Sequence, residues 1–276
     1  MIEVNVNPVL EWIVWRVSKN KNAIIIVNGP TGSGKTYTAL RLAQDTAERL
    51  GSNFNIKDNV DFNFAGLLKK TMLKQNSKPG TCFVFEEVGS TGSGSSAREW
   101  QSKANKFFFS FMQTTRHRQQ VLFLTCPNFS FLEAGTRSLV HMQISMARID
   151  FHKQLAYAKP YILQHNARTG KIYFKLLRFT HDEIKHKLSL LKVKKASPEI
   201  LEDYEKMKMK FTTDLNKMII EEEEKAQKPK SEFRKPRKLT KEIALELHEG
   251  GVMNSVIARR YDVSRAYVTK LLKVKA

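Results

Sequence analysis

A glycine-rich segment that ends in lysine and threonine is the stretch whose residue types and spacing most clearly suit chemistry. The segment consists of Gly29, Pro30, Thr31, Gly32, Ser33, Gly34, Lys35 and Thr36. Its pattern, G-x-x-x-x-G-K-[ST], is typical of a phosphate-binding loop, in which glycines let the backbone N–H groups point at one anion. Such a lysine reaches the β- and γ-phosphates of a nucleotide, and the following hydroxyl binds Mg²⁺. We therefore predict that the whole segment binds ATP or GTP, with Thr36 also a magnesium ligand.

A second group of polar residues follows a short apolar run. Cys82-Phe-Val-Phe is followed directly by Glu86 and Glu87. Carboxylates at the carboxyl end of a parallel strand can hold the magnesium shell and orient the attacking water. We assign Glu86 to magnesium and Glu87 to water. The two roles could be exchanged, and two solvated charges at a strand end is the alternative.

Three further residues are candidates for contact with the γ-phosphate. Arg116 and Arg118 lie at the predicted carboxyl end of a helix, from which an arginine can act across a subunit boundary. Their alternative role is to complement the helix dipole. Thr125 ends the strand that follows, and it could sense the γ-phosphate or be an ordinary strand-end threonine.

Apolar runs that alternate with helical patterns predict the fold of the first part of the chain. The loop is preceded by a predicted strand, Ala23–Asn28, and followed by a helix over 36–50. Further strands are predicted at 81–85, 121–125 and 141–148, and a hairpin at 161–164 and 172–177. Helices are predicted at 8–18, 62–73, 98–117 and 130–138, and a flexible glycine/serine loop at 89–96. This order favours an α/β fold with a mostly parallel sheet and helices on both faces.

The end of the chain has a separate pattern of three short helices. Thr240 is placed to cap the first helix, Gly250 and Gly251 end it, and Ser264 caps a third helix over 265–273. The segment I-A-R-R-Y-D-V-S-R-A-Y-V resembles the helix-turn-helix of resolvases and transposases, in which the third helix enters the major groove. The resemblance implies a set of DNA-contacting residues in this helix and in the basic linker before it. They are Arg234, Lys235, Arg237, Lys238, Arg265, Tyr267, Thr269 and Lys270.

Composition agrees with a polyanionic partner and gives no sign of a membrane segment. Lys and Arg number 47 against 27 Asp and Glu, a net charge of +20. This excess favours double-stranded DNA, with an acidic membrane surface or simple solubility as alternatives. The longest apolar stretches, 9–17 and 23–27, are shorter than the roughly 20 residues that a membrane helix needs. Cys82 and Cys126 lie in apolar runs, so we expect buried free thiols in a reducing cytoplasm and no membrane insertion.

The core motifs together resemble a known class of motor proteins. GPTGSGKT, the strand ending in FEE, the segment TTRHR and the strand VLFLT are similar to the FtsK/HerA class of P-loop ATPases, and most of all to its Zot-like (zonula occludens toxin-like) branch from phages and mobile elements. The resemblance covers about residues 20–180. It implies ATP with Mg²⁺ as cofactors, a P-loop NTPase core, and a DNA translocation or packaging motor that is commonly a hexameric ring. Two departures are a glutamate in place of the usual first aspartate and the lack of a membrane helix after the core.

These observations predict three parts and leave three functions open. The parts are an ATPase domain over 1–180, a charged helical segment with a basic linker over 181–238, and a helix-turn-helix DNA-binding domain over 239–276. The first function is a DNA-dependent ATPase. The second is a nucleotide-gated DNA-binding regulator of replication or transcription, and the third is a small-molecule kinase with a DNA-binding tail.

Overall fold

The protein is described by a computed structural model at residues 7–86, 107–181, 183–227 and 239–273. The chain divides into two compact units, which span 1–214 and 215–276. The first unit contains a mixed β-sheet covered by helices. The second contains the end of a long helix and three short helices.

Five parallel strands form the centre of the sheet, in the order β2-β3-β4-β1-β5. They are β1 Ala23–Asn28, β2 Val60–Asp61, β3 Cys82–Phe85, β4 Val121–Cys126 and β5 Met142–Asp150. β1 lies between β4 and β5, and its residues from Ala23 to Val27 are buried. Such a continuous β-branched run is typical of a parallel strand covered on both faces. The predicted strands and the parallel arrangement around the loop are confirmed.

The sheet continues past β5 through antiparallel strands. These are β6 Leu155–His165, β7 Ile172–His181, β8 Ile184–Leu188 and β9 Leu191–Lys194. β6 pairs with β5, β7 and β9, and β7 pairs with β8. The predicted hairpin across residues 166–170 is therefore present, with longer strands than expected.

Helices pack on both faces of the sheet because alternate residues of β1 point to opposite sides. Ile25 and Val27 join one apolar cluster with α1 (Pro8–Ser18) and α2 (Lys35–Leu50). Ile24 and Ile26 join the other cluster. Its helical members come from α4 (Phe64–Thr71) and from helical residues 107–114, numbered α5. The short helices α3 (Ile56–Asn59) and α6 (Ala134–Leu139) complete this unit apart from α7.

Local signals set the helix ends. The Asn7 side chain accepts a hydrogen bond from the Val9 N–H at 3.0 Å, with Pro8 in the first turn of α1. Asn63 caps α4 in the same way, so that helix begins two residues later than the predicted 62–73. Residues 115–118, predicted as the end of a long α-helix, form a 3₁₀ turn. The start of that predicted helix and the glycine/serine loop 89–96 lie outside the described residues.

The prediction of helix for residues 181–197 is wrong. β8 and β9 occupy 184–194, and β9 buries Leu191 and Val193 while the lysines between and after them are exposed. This alternation with period two is that of a strand, although lysine-rich composition masked it. The compact unit accordingly runs to residue 214, beyond the 1–180 expected for the core. The helical part of the segment is α7, Pro198–Gln227.

The second unit contains α8 Lys241–Glu249, α9 Asn254–Arg260 and α10 Arg265–Lys273. As predicted, Thr240 accepts a hydrogen bond from the Ile243 N–H at 3.4 Å and caps α8. Ser264 receives the Tyr267 N–H at 3.2 Å at the start of α10. A small apolar core holds the three helices together, and its buried members are Leu239, Ala244, Ile257, Ala258 and Val268. No helix in the described part of the chain is both long and apolar enough to cross a bilayer.

Candidate functional site

The glycine-rich loop joins the carboxyl end of β1 to the amino end of α2, as its sequence predicted. Gly32 and Gly34 have φ angles of 77° and 82°, in the left-handed region that glycine adopts without strain. Gly29 is required for space. A Cβ atom there would lie 2.8 Å from both the Met146 Cβ and the Ser33 Oγ. Met146, on β5, was not foreseen as a neighbour of the loop, because nothing in the sequence shows that β5 lies beside β1.

The loop presents hydrogen-bond donors that suit an anion. No side chain caps α2 at Gly34, so the N–H groups of its first turn lack a side-chain acceptor. The Ser33 Oγ atom is buried and has no hydrogen-bond partner among the described residues. The helix dipole adds positive potential at this end of α2. Orphan donors at a helix amino end fit a phosphate group, as the motif predicted.

Lys35 lies over the loop. Its Nζ donates to the Pro30 carbonyl oxygen at 3.0 Å. Its charge also acts on the neighbouring Cys126 thiol, whose pKa is raised to about 12 by burial, while Lys35 partly offsets that rise. A cation in this position can contact a phosphate held by the loop.

Glu86 and Thr36 meet directly, although 50 positions separate them in the chain. The Thr36 Oγ1 donates to the Glu86 Oε2 at 2.9 Å. Glu86 is 1% exposed and follows β3, with its N–H bonded to the Asp61 carbonyl at 2.9 Å. The structure thus brings the two predicted magnesium ligands together. Glu87 lies outside the described residues, so its role in positioning water stays a prediction.

Tyr204 is a site residue that the sequence did not reveal. It lies on α7, is 1% exposed, and donates its hydroxyl to the same Glu86 Oε2 at 3.3 Å. Burial and the Glu86 charge raise the pKa of its phenol. The next residue, Glu205, accepts a hydrogen bond from the Tyr37 hydroxyl of α2 at 2.6 Å. The sequence predicts a charged helix with an apolar stripe here, and it does not show which surface that helix packs on.

Thr125 lies beside the loop at the carboxyl end of β4. It is fully buried and pairs with Val27, and the residue before it pairs with Phe85. It therefore stands between the strand that ends in the loop and the strand that ends at Glu86. Its position suits the predicted role of sensor, which stays a prediction.

Arg116 and Arg118 lie at the opposite edge of the sheet from the loop. The 3₁₀ turn that carries them precedes β4, and Gln120 beside it accepts the Ala23 N–H at 3.2 Å, at the start of β1. Six strand residues of β1 separate that point from the loop, about 20 Å. Arg118 instead donates to the Thr71 carbonyl at 2.8 Å. Contact with the loop of the same chain is thereby excluded for both arginines, and action across a subunit boundary stays a prediction.

In the second unit, one face of α10 carries three of the four DNA-contacting residues predicted for this helix. Arg265, Thr269 and Lys270 line a shallow groove of about 600 Å³ with Ala266 and Lys273. Tyr267 is 46% exposed but does not line this groove. The four linker residues Arg234, Lys235, Arg237 and Lys238 lie outside the described residues.

Comparison with solved structures gives a weak likeness. No family model matches the chain, and no curated protein matches it. Among solved structures, the fold is similar to the N-terminal domain of zonular occludens toxin from Neisseria meningitidis, with 14% identity and a TM-score of 0.34. The match covers 57% of this chain and 95% of that one. A likeness of this size carries no argument, so the function proposed below rests on the geometry of the site.

The buried thiol beside the loop yields a first prediction. At pH 8 the native protein should resist labelling by dithionitrobenzoate. Both cysteines are buried, and a thiol whose pKa is about 12 is almost entirely protonated. Guanidinium should expose two reactive thiols, and the single variants Cys82→Ser and Cys126→Ser assign each one. Rapid labelling of Cys126 in the native state would contradict its burial at the end of β4.

Proposed function

We propose that this chain is an ATPase that acts on double-stranded DNA, recruited to it by the three-helix unit at the end of the chain. The observation that carries the nucleotide part is the hydrogen bond between Thr36 and Glu86. It places a hydroxyl and a carboxylate beside a lysine and the first turn of α2, whose N–H groups have no side-chain acceptor. These groups are the ones that a triphosphate and its magnesium ion require.

The donor set fits magnesium. Thr36 and Glu86 both offer oxygen, and Mg²⁺ prefers oxygen ligands. The described residues contain no cluster of three or more His, Cys, Asp or Glu that could hold a metal ion. This agrees with magnesium held by one or two protein groups together with substrate phosphates and water. When bound, the ion would neutralise charge that develops on the phosphates during hydrolysis.

Residues of the chain itself would bind the phosphates, position the attacking water and hold the metal ion. The N–H groups of the loop and of the first turn of α2 would hold the phosphates, and Lys35 would add a positive charge near the terminal one. Thr125 would contact the terminal phosphate from the neighbouring strand. Glu87 would orient the attacking water. Glu86 would hold the metal shell, since its carboxylate is already bonded to Thr36.

The DNA part of the proposal is supported by the charge and shape of α10. Arg265 and Lys270 share one exposed face with Lys273, while Val268 on the other face is buried in the small core. A helix with this arrangement can lie in a major groove, where Arg265 would contact a guanine edge or a phosphate. The basic linker residues 234–238 would add contacts to the backbone.

We further propose that the protein works as a homo-oligomeric ring in the cytoplasm. Arg116 and Arg118 are too far from the loop of their own chain to contact its nucleotide. In a ring, either arginine would be able to act on the nucleotide of a neighbouring subunit. Two free, buried cysteines agree with a reducing compartment.

One observation favours the alternative, a nucleotide-gated DNA-binding regulator. α7 touches the site twice, through Tyr204 on Glu86 and through Glu205 on Tyr37. A metal ion that drew Glu86 away would weaken the bond to Tyr204 and so change how α7 packs. Such coupling could switch DNA binding without rapid hydrolysis.

The motor proposal is tested by ATP hydrolysis with and without duplex DNA. We expect DNA to increase the rate. Lys35→Ala should lower it roughly a hundredfold or more, because a charge that stabilises the transition state is lost. Lys19→Ala, which removes an exposed lysine from the far end of α1, is the matched control and should leave the rate unchanged. Tight ATP binding without turnover, or turnover that ignores DNA, would instead favour the regulator.

The magnesium role is tested through the affinity for a fluorescent ATP analogue, measured with Mg²⁺ and with EDTA. In Glu86→Gln the gain in affinity that Mg²⁺ confers should fall about tenfold or more, while binding in EDTA stays close to wild type. Glu199→Gln changes an exposed glutamate of α7 in the same way and should retain the full gain. An unchanged magnesium effect in Glu86→Gln would move the metal role to another residue.

The DNA-binding role of α10 is tested by titrating duplex DNA at several salt concentrations. Arg265→Ala should weaken binding by about 1–3 kcal/mol if the side chain reads a base. If Arg265 instead contacts a phosphate, its loss should reduce the slope of log K against log [salt] by about one in magnitude. Lys217→Ala removes an exposed charge from α7 and should alter neither quantity. If Arg265→Ala and Lys217→Ala behave alike, this face of α10 does not bind DNA.

A further inference from the structure

A second group of cations surrounds a small cavity at the amino edge of the parallel strands, away from the glycine-rich loop. The cavity has a volume of about 330 Å³ and is lined by Arg16, Lys21, Asn22, Arg116 and His141. We call it the basic pocket. Nothing in the proposed hydrolysis site uses Arg16, Lys21 or His141.

No acidic side chain in the lining of the basic pocket neutralises its positive charges. Its lining contains two arginines and a lysine and no carboxylate. Burial, and after it the nearby charge of Arg116, lowers the pKa of Arg16 to about 10. Cations held this close repel one another, so the arrangement costs stability unless an anion joins them.

His141 adds a neutral donor. Its Nδ1 accepts the Ile24 N–H at 3.0 Å, so the ring proton resides on Nε2. Burial is the main cause of its low pKa of about 3, and the charges of Arg16, His165 and Lys21 add to it. The ring therefore stays neutral at physiological pH and offers an N–H group.

Three of the lining side chains are held in place before any ligand arrives. The Arg16 Nε donates to the Asn22 carbonyl at 2.8 Å, and its guanidinium lies 5.1 Å from the Trp12 ring centroid. The Asn22 side chain donates to the Thr115 Oγ1 at 2.9 Å. Lys21 is placed over Trp15 at 5.9 Å. A preorganised set of donors loses little side-chain entropy when it binds.

We propose that the basic pocket binds a phosphate group. A tetrahedral dianion accepts several charge-assisted hydrogen bonds at once, and arginine guanidinium groups match its geometry. The phosphate could be free in solution or belong to a nucleic-acid backbone, and the chemistry of recognition is the same for both. The basic pocket shares no residue with the loop site of the same chain, so either can exist without the other.

The test is calorimetric titration of the full-length Lys35→Ala protein with sodium phosphate, against sodium chloride at equal ionic strength. The Lys35→Ala background weakens binding at the loop. We expect one site with a dissociation constant on the order of 1 mM. Arg116→Gln should weaken it at least about tenfold, whereas Lys19→Gln, a nearby exposed charge, should have no effect. Lys21→Gln is the second variant should Arg116→Gln fail to fold.

Thermal unfolding gives a readout that a purely structural role would not produce. In chloride, the unfolding temperature of Arg116→Gln should be about 2 °C higher than that of the parent Lys35→Ala protein, because the repulsion between Arg116 and Arg16 is removed. In phosphate the parent should gain stability and the variant should not. Absence of phosphate binding at 10 mM, or equal effects of Arg116→Gln and Lys19→Gln, overturns the proposal.

A short single-stranded oligonucleotide identifies the source of the phosphate. If it displaces inorganic phosphate, and if its affinity falls in Arg116→Gln but not in Lys19→Gln, the pocket holds a nucleic-acid backbone. If the oligonucleotide does not compete while inorganic phosphate binds, the pocket holds a free phosphate.

Discussion

The pairing of β1 with β4 on one side and β5 on the other positions the residues of the candidate site. Because these strands run parallel, the residues that follow each of them reach the same edge of the sheet. The loop after β1, Glu86 after β3 and Thr125 at the end of β4 converge there, although they come from three separate segments. The five consecutive buried residues of β1 supply the apolar contacts on both faces that hold this order. The site is thus a consequence of sheet topology as much as of the loop motif.

Topology also explains which site residues the sequence could predict. A buried β-branched or aromatic run predicts a strand, and the residues that follow it directly must lie at the carboxyl edge of the sheet. This local pattern was enough to identify the loop and Glu86. Arg116 and Arg118 precede a strand, and the same rule sends them to the amino edge, where the structure has them. Strand β9 was missed because lysines fill its exposed positions, and only its period of two distinguishes it from a charged helix. Tyr204 could not be found at all, since its contact depends on where a distant helix packs.

The two edges of the sheet collect positive potential by different means. At the carboxyl edge the backbone supplies it, through N–H groups of the loop and the amino end of α2, with one lysine added. At the amino edge side chains supply it, through Arg16, Lys21 and Arg116. Backbone donors cost little when no ligand is bound, because water satisfies them. Gathered cations repel at all times. Burial first, and the charge of Arg116 second, lower the pKa of Arg16.

Glu86 links the proposed metal site to α7. Its Oε2 atom receives two hydroxyl groups, from Thr36 on the loop helix and from Tyr204 on α7. A magnesium ion that took this oxygen as a ligand would compete with both hydroxyls, since metal coordination and these hydrogen bonds use the same lone pairs. Thr36 can stay nearby as a fellow ligand, whereas Tyr204 has no such role and would lose its acceptor in a buried place. Each round of metal binding and release would therefore act on α7, which a slow switch requires and which a hydrolysing motor could also use. What separates them is the rate at which bound nucleotide is turned over.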